Sequence, residues 1–232
     1  MCCLPRVKVK LVSWNDIVEW SWGLAEIIKK DGYKPDVIIA LARGGYVPAR
    51  LLCDFLDVEN LLSIQSQHWT EAAKVEEKAI IKFKYLIDLS GLKALIVDDI
   101  VDTGDSLKLA RDYVRDYWKP VEIRTAALQW ISPVAGFKPD YYYMDVKEWT
   151  WFQYPWTRLE DTYQFIKRMM NETYRETGKI EWSYKEIIDG FIDWYGIDVG
   201  QEYITKALEI LIDKNIIKRD SVSGKYILIT KQ

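Results

Sequence analysis

Histidine and cysteine are scarce in this chain of 232 residues, and its net charge is small. His68 is the single histidine, and Cys2, Cys3 and Cys53 have neither the spacing of a disulfide framework nor that of a zinc site. The 35 acidic residues against 32 basic ones leave a formal net charge of -3, which gives no overall attraction to nucleic acid or to an anionic membrane. We therefore expect a protein of the reducing cytoplasm.

Long apolar runs are absent as well. No segment reaches the roughly 18 uncharged apolar residues that a membrane span needs, and the first six residues contain no apolar stretch typical of a signal peptide. We therefore expect no membrane partner. The length of the chain suits one main hydrophobic core with a small appendage.

Apolar runs of strand length alternate with stretches of helical periodicity in the first two thirds of the chain. This alternation predicts an α/β fold with a five-stranded, mostly parallel sheet and helices on both faces. The strands are predicted at 37–41, 61–64, 94–97, 123–130 and 141–146. In such a fold, ligands bind beyond the carboxyl ends of the strands.

The pattern changes at residue 159. Helices are predicted over 159–174, from a capping box at Ser183 and over 199–214, and a Ser-Gly turn at Ser223 indicates a small hairpin. We therefore expect a main domain over 1–158 and a C-terminal domain over 159–232. Three helices and a hairpin resemble a winged-helix module.

The charge of this C-terminal domain argues against a nucleic-acid partner. From Glu160 onward it has 11 basic and 13 acidic residues, and its third helix carries Glu202, Glu209 and Asp213. A phosphate backbone requires a basic surface. We expect the domain to cover the main site or to support a homodimer.

Two adjacent acids and a hydroxyl-bearing turn follow the predicted strand 94–97. Asp98 and Asp99 come at its carboxyl end, and the turn 102–106 opens a helix. Ionised carboxylates accept hydrogen bonds from paired sugar hydroxyls, and the N–H groups at a helix amino end attract phosphate. The run predicts a sugar-phosphate site. The alternative, a capped helix with solvated acids, needs one acid and not three.

This run resembles the phosphoribosyl-pyrophosphate (PRPP) signature of type I phosphoribosyltransferases: hydrophobic residues, two acids, two more hydrophobic residues and an acid-Thr-Gly turn. The resemblance implies that Asp98 and Asp99 hold the ribose hydroxyls. It also implies a set of residues that wrap the 5′-phosphate, namely Asp102, Thr103, Gly104, Asp105 and Ser106.

The segment 41–48 contains an Arg-Gly-Gly turn about fifty residues before the acidic run. It resembles the pyrophosphate loop of the purine branch of the family. The resemblance implies that Ala42, Arg43 and Gly44 bind pyrophosphate and that the Ala42–Arg43 peptide bond is cis. By the same resemblance Arg43 and Asp102 are catalytic, and Mg²⁺ arrives on PRPP without a dedicated protein motif.

An aromatic run at 149–156 offers a flat face for a nucleobase. It resembles the Thr-Trp-Ile-Glu-Gln-Pro-Trp segment of xanthine-guanine phosphoribosyltransferases, which implies that Trp151 stacks on the purine and that the backbone of Phe152 meets its Watson–Crick edge.

One departure from that resemblance bears on the base. Ser132 stands where the oxopurine enzymes carry a lysine that donates to the 6-oxo group, so we expect adenine as the base and AMP as the product. Asp102 is a feature of the oxopurine enzymes and points the other way. The alternatives are a 6-oxopurine (hypoxanthine, guanine or xanthine) enzyme and a non-catalytic PRPP-sensing transcriptional regulator.

A charged stretch over 65–83 contains His68. The resemblance implies a mobile loop here that closes over PRPP. We assign no catalytic residue to it, because a lone loop histidine without a second ligand nearby is usually only solvated.

Overall fold

The structure is a computed structural model that describes residues 5–70 and 77–230. It divides into two units. Residues Trp14–Trp149 form the central unit, and the segments before and after them form the terminal unit. Within the described residues, no helix combines the length and apolarity that crossing a membrane requires.

The central unit is built on a six-stranded sheet in the order β4-β3-β2-β5-β6-β7. Its strands are β2 (Val37–Ala42), β3 (Asn60–Thr70), β4 (Glu77–Ile81), β5 (Lys93–Val101), β6 (Glu122–Ile131) and β7 (Tyr141–Val146). All neighbours run parallel except β3 and β4, which are antiparallel. Strands β2, β5 and β6 therefore end side by side at one edge.

The sheet has one strand more than predicted, because β4 lies in the stretch over 65–83 that was expected to be a loop. Strand β3 continues to Thr70, and β4 pairs with it at the outer edge of the sheet. An edge strand accepts polar residues, so this pair lacks the apolar run by which the other strands were predicted. Residues 71–76 and the side chain of His68 lie outside the described part of the chain.

Helices cover both faces of this sheet. One face packs against α3 (Asp105–Tyr113) and the π-helical turn Val114–Trp118 that continues it, and Ile39, Ile96 and Leu107 share a buried cluster there. Helices α1 (Trp14–Lys30) and α2 (Tyr46–Phe55) pack on the strands from the other face. Every residue of β2 is buried, as a central strand covered on both sides requires.

The terminal unit contains two small sheets and three helices. Strands β1 (Val9–Leu11) and β8 (Trp151–Gln153) pair in parallel, and β9, β10 and β11 form an antiparallel sheet in the order β10-β11-β9. The remaining bounds are β9 (Glu181–Trp182), β10 (Ile217–Arg219), β11 (Tyr226–Leu228), α4 (Arg158–Thr177), α5 (Tyr184–Tyr195) and α6 (Gln201–Asp213). The capping box predicted at Ser183 is confirmed: its side chain accepts from the N–H of Glu186.

The boundary between the units differs from the predicted division at 158/159. The β1–β8 pairing, with Val9 opposite Trp151, joins the start of the chain to the segment after Trp149. The unit boundary consequently falls between Trp149 and Thr150, and the aromatic residues Trp151 and Phe152 belong to the terminal unit.

Candidate functional site

Three loops of the central unit follow neighbouring strands at the same edge of the sheet. The first follows β2, the second follows β5 and the third follows β6. Because parallel strands present their carboxyl ends together, residues that are far apart in sequence meet at this edge.

The two acids expected at the end of a strand lie inside it, because β5 extends to Val101. Asp99 is 8 % exposed and Asp98 is half-buried. The Asp98 carboxylate accepts the N–H of Asp99 at 2.9 Å, and the Asp99 carboxylate accepts the N–H of Ile100 at 3.0 Å. Both acids are therefore held by backbone groups at the edge of the core.

Burial raises the pKa of the Asp98 carboxyl well above its ordinary value of 3.8, and the neighbouring Asp99 carboxylate raises this pKa further. A pair of carboxylates in this setting favours a ligand that donates hydrogen bonds. Vicinal hydroxyl groups of a sugar supply such donors.

The loop after β2 touches this pair. The Ala42–Arg43 peptide bond is cis, as the resemblance implied. A Cβ atom added at Gly44 would overlap the Asp99 carboxylate, so only glycine allows this approach of the loop to β5. Arg43 is exposed. Of the predicted pyrophosphate residues, Gly44 thus contacts Asp99 of the neighbouring strand β5.

The loop after β5 encloses a cavity of about 240 Å³. Gly104 has φ +90° and immediately precedes α3, while the Thr103 hydroxyl donates to the Asp105 carboxylate at 2.9 Å. The cavity is lined by Asp98, Asp99, Ile100, Val101, Asp102, Thr103, Gly104, Ser106 and Leu107. The structure thus brings both ribose-binding candidates and all of the phosphate-binding candidates except Asp105 to one cavity.

The loop after β6 packs against the loop after β5, a contact that the sequence did not indicate. The N–H of Gly136 donates to the carbonyl of Thr103 at 2.8 Å, and Phe137 lies against Gly104. The Arg111 guanidinium stacks 4.7 Å from the centre of the Phe137 ring. An Arg on α3 and an aromatic residue of the third loop therefore pack around the loop after β5.

Ser132 lies at the start of this third loop, and Asp145 lies near the end of the neighbouring strand β7. The Lys147 ammonium donates to the Asp145 carboxylate at 2.5 Å, and this hydrogen bond is the main cause that lowers the pKa of Asp145. Asp145 was not singled out from the sequence. Its place near Ser132 follows from the register of β7, in which Asp145 pairs with Trp130, two residues before Ser132.

The predicted stacking residues lie in the terminal unit and are described within it. Trp151 is 39 % exposed and meets the Phe165 ring edge-on at 5.5 Å, whereas the Phe152 side chain is buried. The backbone N–H of Trp151 donates to the carbonyl of Lys8, the residue before β1, so the N–H and C=O of the next residue, Phe152, face the opposite side of β8. Binding of a base by these two residues stays a prediction.

Comparison with known proteins identifies the family to which this chain belongs. A family model described as the phosphoribosyl transferase domain matches residues 18–160. Xanthine-guanine phosphoribosyltransferase of Cereibacter sphaeroides is 31% identical over 161 residues, which cover 66% of this chain and 89% of that protein. The enzyme of the same name from Nitratidesulfovibrio vulgaris is 29% identical over 171 residues, covering 71% and 93%.

A solved structure shows the same fold. The purine phosphoribosyltransferase of Pyrococcus horikoshii Ot3 superposes with a TM-score of 0.54 at 33% sequence identity, and the match covers 63% of this chain and 92% of that one.

Replacement of Asp98 by Asn should stabilise the protein at pH 7, by on the order of 1 kcal/mol, because the amide has no charge to be buried beside Asp99. The pKa of Asp98 is raised, so its ionisation destabilises the fold above pH 3.8 and the advantage of the variant should vanish below that pH. Thermal unfolding of the wild type and the variant from pH 3 to 8 measures this difference in stability. Asp102→Asn, which removes an exposed carboxylate, is the control. An Asp98→Asn protein no more stable than wild type at pH 7 would contradict the account.

A methyl group at Gly44 should push the first loop off the Asp99 carboxylate. We expect Gly44→Ala to bind PRPP at least about tenfold more weakly, as measured by calorimetry in the presence of Mg²⁺. Gly136→Ala is the matched control, because its Cβ would meet only the Thr103 carbonyl oxygen at an ordinary 3.7 Å. Equal PRPP affinity in the two variants would show that the Gly44 contact is irrelevant to binding.

Proposed function

Because this chain belongs to the phosphoribosyltransferase family, we propose that it transfers the 5-phosphoribosyl group of PRPP to a purine base and releases pyrophosphate, a salvage reaction. The observation that carries the proposal is one cavity that is lined both by the carboxylates of Asp98 and Asp99 and by residues of the loop 102–106. One substrate that has both vicinal hydroxyls and a phosphate fits such a cavity.

Each part of PRPP has a proposed binding loop. Asp98 and Asp99 accept the 2′- and 3′-hydroxyls of the ribose, and the loop 102–106 binds the 5′-phosphate through backbone N–H groups and hydroxyls. Residues 42–44 bind the pyrophosphate, for which the Arg43 guanidinium supplies a planar pair of donors.

The chemistry is a displacement at C1′ of the ribose. The bond from C1′ to the pyrophosphate oxygen breaks, a bond from C1′ to a ring nitrogen of the base forms, and the proton of the base leaves. Positive charge develops on the sugar and negative charge on the pyrophosphate, so Arg43 stabilises the leaving group. Asp102 is exposed at the mouth of the cavity and accepts the proton of the base.

Mg²⁺ belongs to the proposal as a companion of PRPP. Within residues 5–70 and 77–230, no three side chains of the ligating types cluster to hold a metal ion. Magnesium prefers phosphate oxygens and water to an all-protein cage, so a metal carried by the pyrophosphate fits these residues. When bound, it neutralises charge on the leaving group.

A 6-oxopurine is the base class that the relatives support. The two curated relatives compared above act, by name, on xanthine and guanine, and a 22% identical structure from Helicobacter pylori shares the fold at a TM-score of 0.53. The adenine prediction finds no support among these relatives. Asp102, which the resemblance assigns to oxopurine enzymes, agrees with them.

Adenine remains the second candidate because of one observation at the third loop. Ser132 has no ammonium to offer a 6-oxo group, and Lys138 lies over the rings of Trp130 and Tyr142, 5.2 and 5.4 Å from their centres. The cation that could replace the expected lysine thus packs on aromatic rings.

The terminal unit, the homodimer, the cytoplasmic location and the regulator alternative stay predictions. The helices and antiparallel strands of the terminal unit are compatible with the winged-helix resemblance, while Glu202, Glu209 and Asp213 are exposed along α6. An acidic helix favours an enzyme over a nucleic-acid-binding regulator.

Incubation with PRPP and Mg²⁺ tests the proposal. Among adenine, hypoxanthine, guanine and xanthine, we expect at least one 6-oxopurine to be converted to its nucleotide with one pyrophosphate per turnover, and EDTA to stop the reaction. Chromatography of nucleotides with a pyrophosphate assay measures both. If PRPP binds but none of the four bases is converted, the enzyme proposal fails and the result favours the PRPP-sensing regulator.

Replacement of Ser132 by Lys tests the two base candidates. An ammonium at this position donates to a 6-oxo group and repels a 6-amino group, so kcat/KM for hypoxanthine relative to adenine should rise about tenfold. Lys138→Gln is the control and should leave the ratio unchanged. If Lys138→Gln lowers the ratio and Ser132→Lys does not move it, then Lys138 and not position 132 faces the base.

A further inference from the structure

One aromatic side chain of the terminal unit is partly exposed, while the rings behind it are buried. Trp151 is 39% exposed, whereas Phe165 on α4 is 5% exposed and Tyr195 on α5 is fully buried. The Trp151 indole meets the Phe165 ring edge-on, at 5.5 Å between centres and 70° between planes. Phe165 in turn stacks on Tyr195 at 4.3 Å and 13°. The indole is therefore the outer end of a buried row of rings.

The packing of α4 on β8 fixes the orientation of this indole. Trp151 and Gln153 alternate along β8 and so share one side of the strand. Thr162 and Phe165 are three residues apart on α4 and so share one side of the helix. The Gln153 amide donates to the Thr162 hydroxyl at 3.4 Å, and both residues are fully buried. Two neighbouring contacts thus join the helix to the strand, and the ring pair is the more exposed of the two.

The backbone of β8 is held along one edge. The N–H of Trp151 donates to the carbonyl of Lys8 at 2.9 Å, and the N–H of Val12 donates to the carbonyl of Gln153 at 3.0 Å. In the part of the chain that the structure describes, β1 is the one strand that pairs with β8. The other edge of β8, where the N–H and C=O of Phe152 lie, is therefore not covered by a third strand.

A planar ligand with a polar edge suits this arrangement. The exposed indole offers a flat face for stacking, and the strand edge one residue away offers a donor and an acceptor. An edge-to-face contact covers at most one face of a ring, so Phe165 leaves at least one face of Trp151 for a ligand. A side chain that is already held in place loses less freedom when the ligand binds.

We propose that Phe165 is a positioning residue for the purine base: it holds Trp151 in the orientation in which the indole stacks on the base. This inference rests on the proposed function and deepens it. It gives α4 of the terminal unit a role in base binding, through a side chain that does not itself touch the base.

Steady-state kinetics with the purine that the wild type converts best tests the inference. Trp151→Ala removes the stacking face and should raise the KM for the base on the order of tenfold or more. Phe165→Leu keeps an apolar side chain but removes the ring that orients Trp151, and it should raise this KM about threefold to tenfold. In both variants kcat and the KM for PRPP should stay at the wild-type values, because only binding of the base is weakened.

Phe191→Leu is the matched control. Phe191 is 1% exposed and belongs to the same buried cluster, where its ring packs 5.1 Å from that of Tyr195. This variant should lose stability as Phe165→Leu does and still keep the wild-type KM for the base. With Trp151→Ala present, Phe165→Leu should no longer change that KM, because no indole is left to orient. If Phe165→Leu does not fold, Phe165→Met replaces it in each comparison.

An unchanged KM for the base in Phe165→Leu, an equal rise in Phe191→Leu, or an equal rise with and without Trp151 would overturn the inference alone. An unchanged KM in Trp151→Ala would also overturn it, because the base would then not stack on the indole. A wild-type protein that binds PRPP but converts no purine would instead overturn the proposed function, and this inference with it. The wild-type assay therefore distinguishes the two failures.

Discussion

The close approach of Gly44 to the Asp99 carboxylate is the contact on which the proposed site depends. It joins the loop after β2 to the acids of β5, which lie on adjacent parallel strands but about fifty residues apart in sequence. Any side chain larger than hydrogen would separate the two loops. Since the pyrophosphate and ribose of PRPP are covalently linked, the two segments proposed to bind them must be held at a matching distance.

A cost in stability accompanies this arrangement. Two adjacent carboxylates at a partly buried edge repel one another, and the raised pKa of Asp98 expresses that repulsion together with burial. Backbone N–H groups of Asp99 and Ile100 offset part of the cost. Folding stability alone does not favour two such acids side by side, which agrees with the proposal that they bind the ribose hydroxyls.

Much of this fold and part of the site could be predicted from the sequence. The apolar runs predicted the parallel strands, because buried strands need apolar residues. The resemblance predicted the cis peptide bond at Ala42–Arg43. Strand β4 was missed because an edge strand tolerates charge. The contact of Phe137 with Gly104 depends on strand register and loop packing, which local patterns do not encode.

The central claim is that one cavity binds both the ribose hydroxyls and the 5′-phosphate of PRPP. A crystal structure of the protein with PRPP and Mg²⁺ tests it most directly. The account predicts the two ribose hydroxyls within hydrogen-bonding distance of Asp98 and Asp99, the 5′-phosphate on the loop 102–106, and the pyrophosphate against Gly44. A ligand bound elsewhere, or with its ribose hydroxyls turned away from both carboxylates, would contradict it.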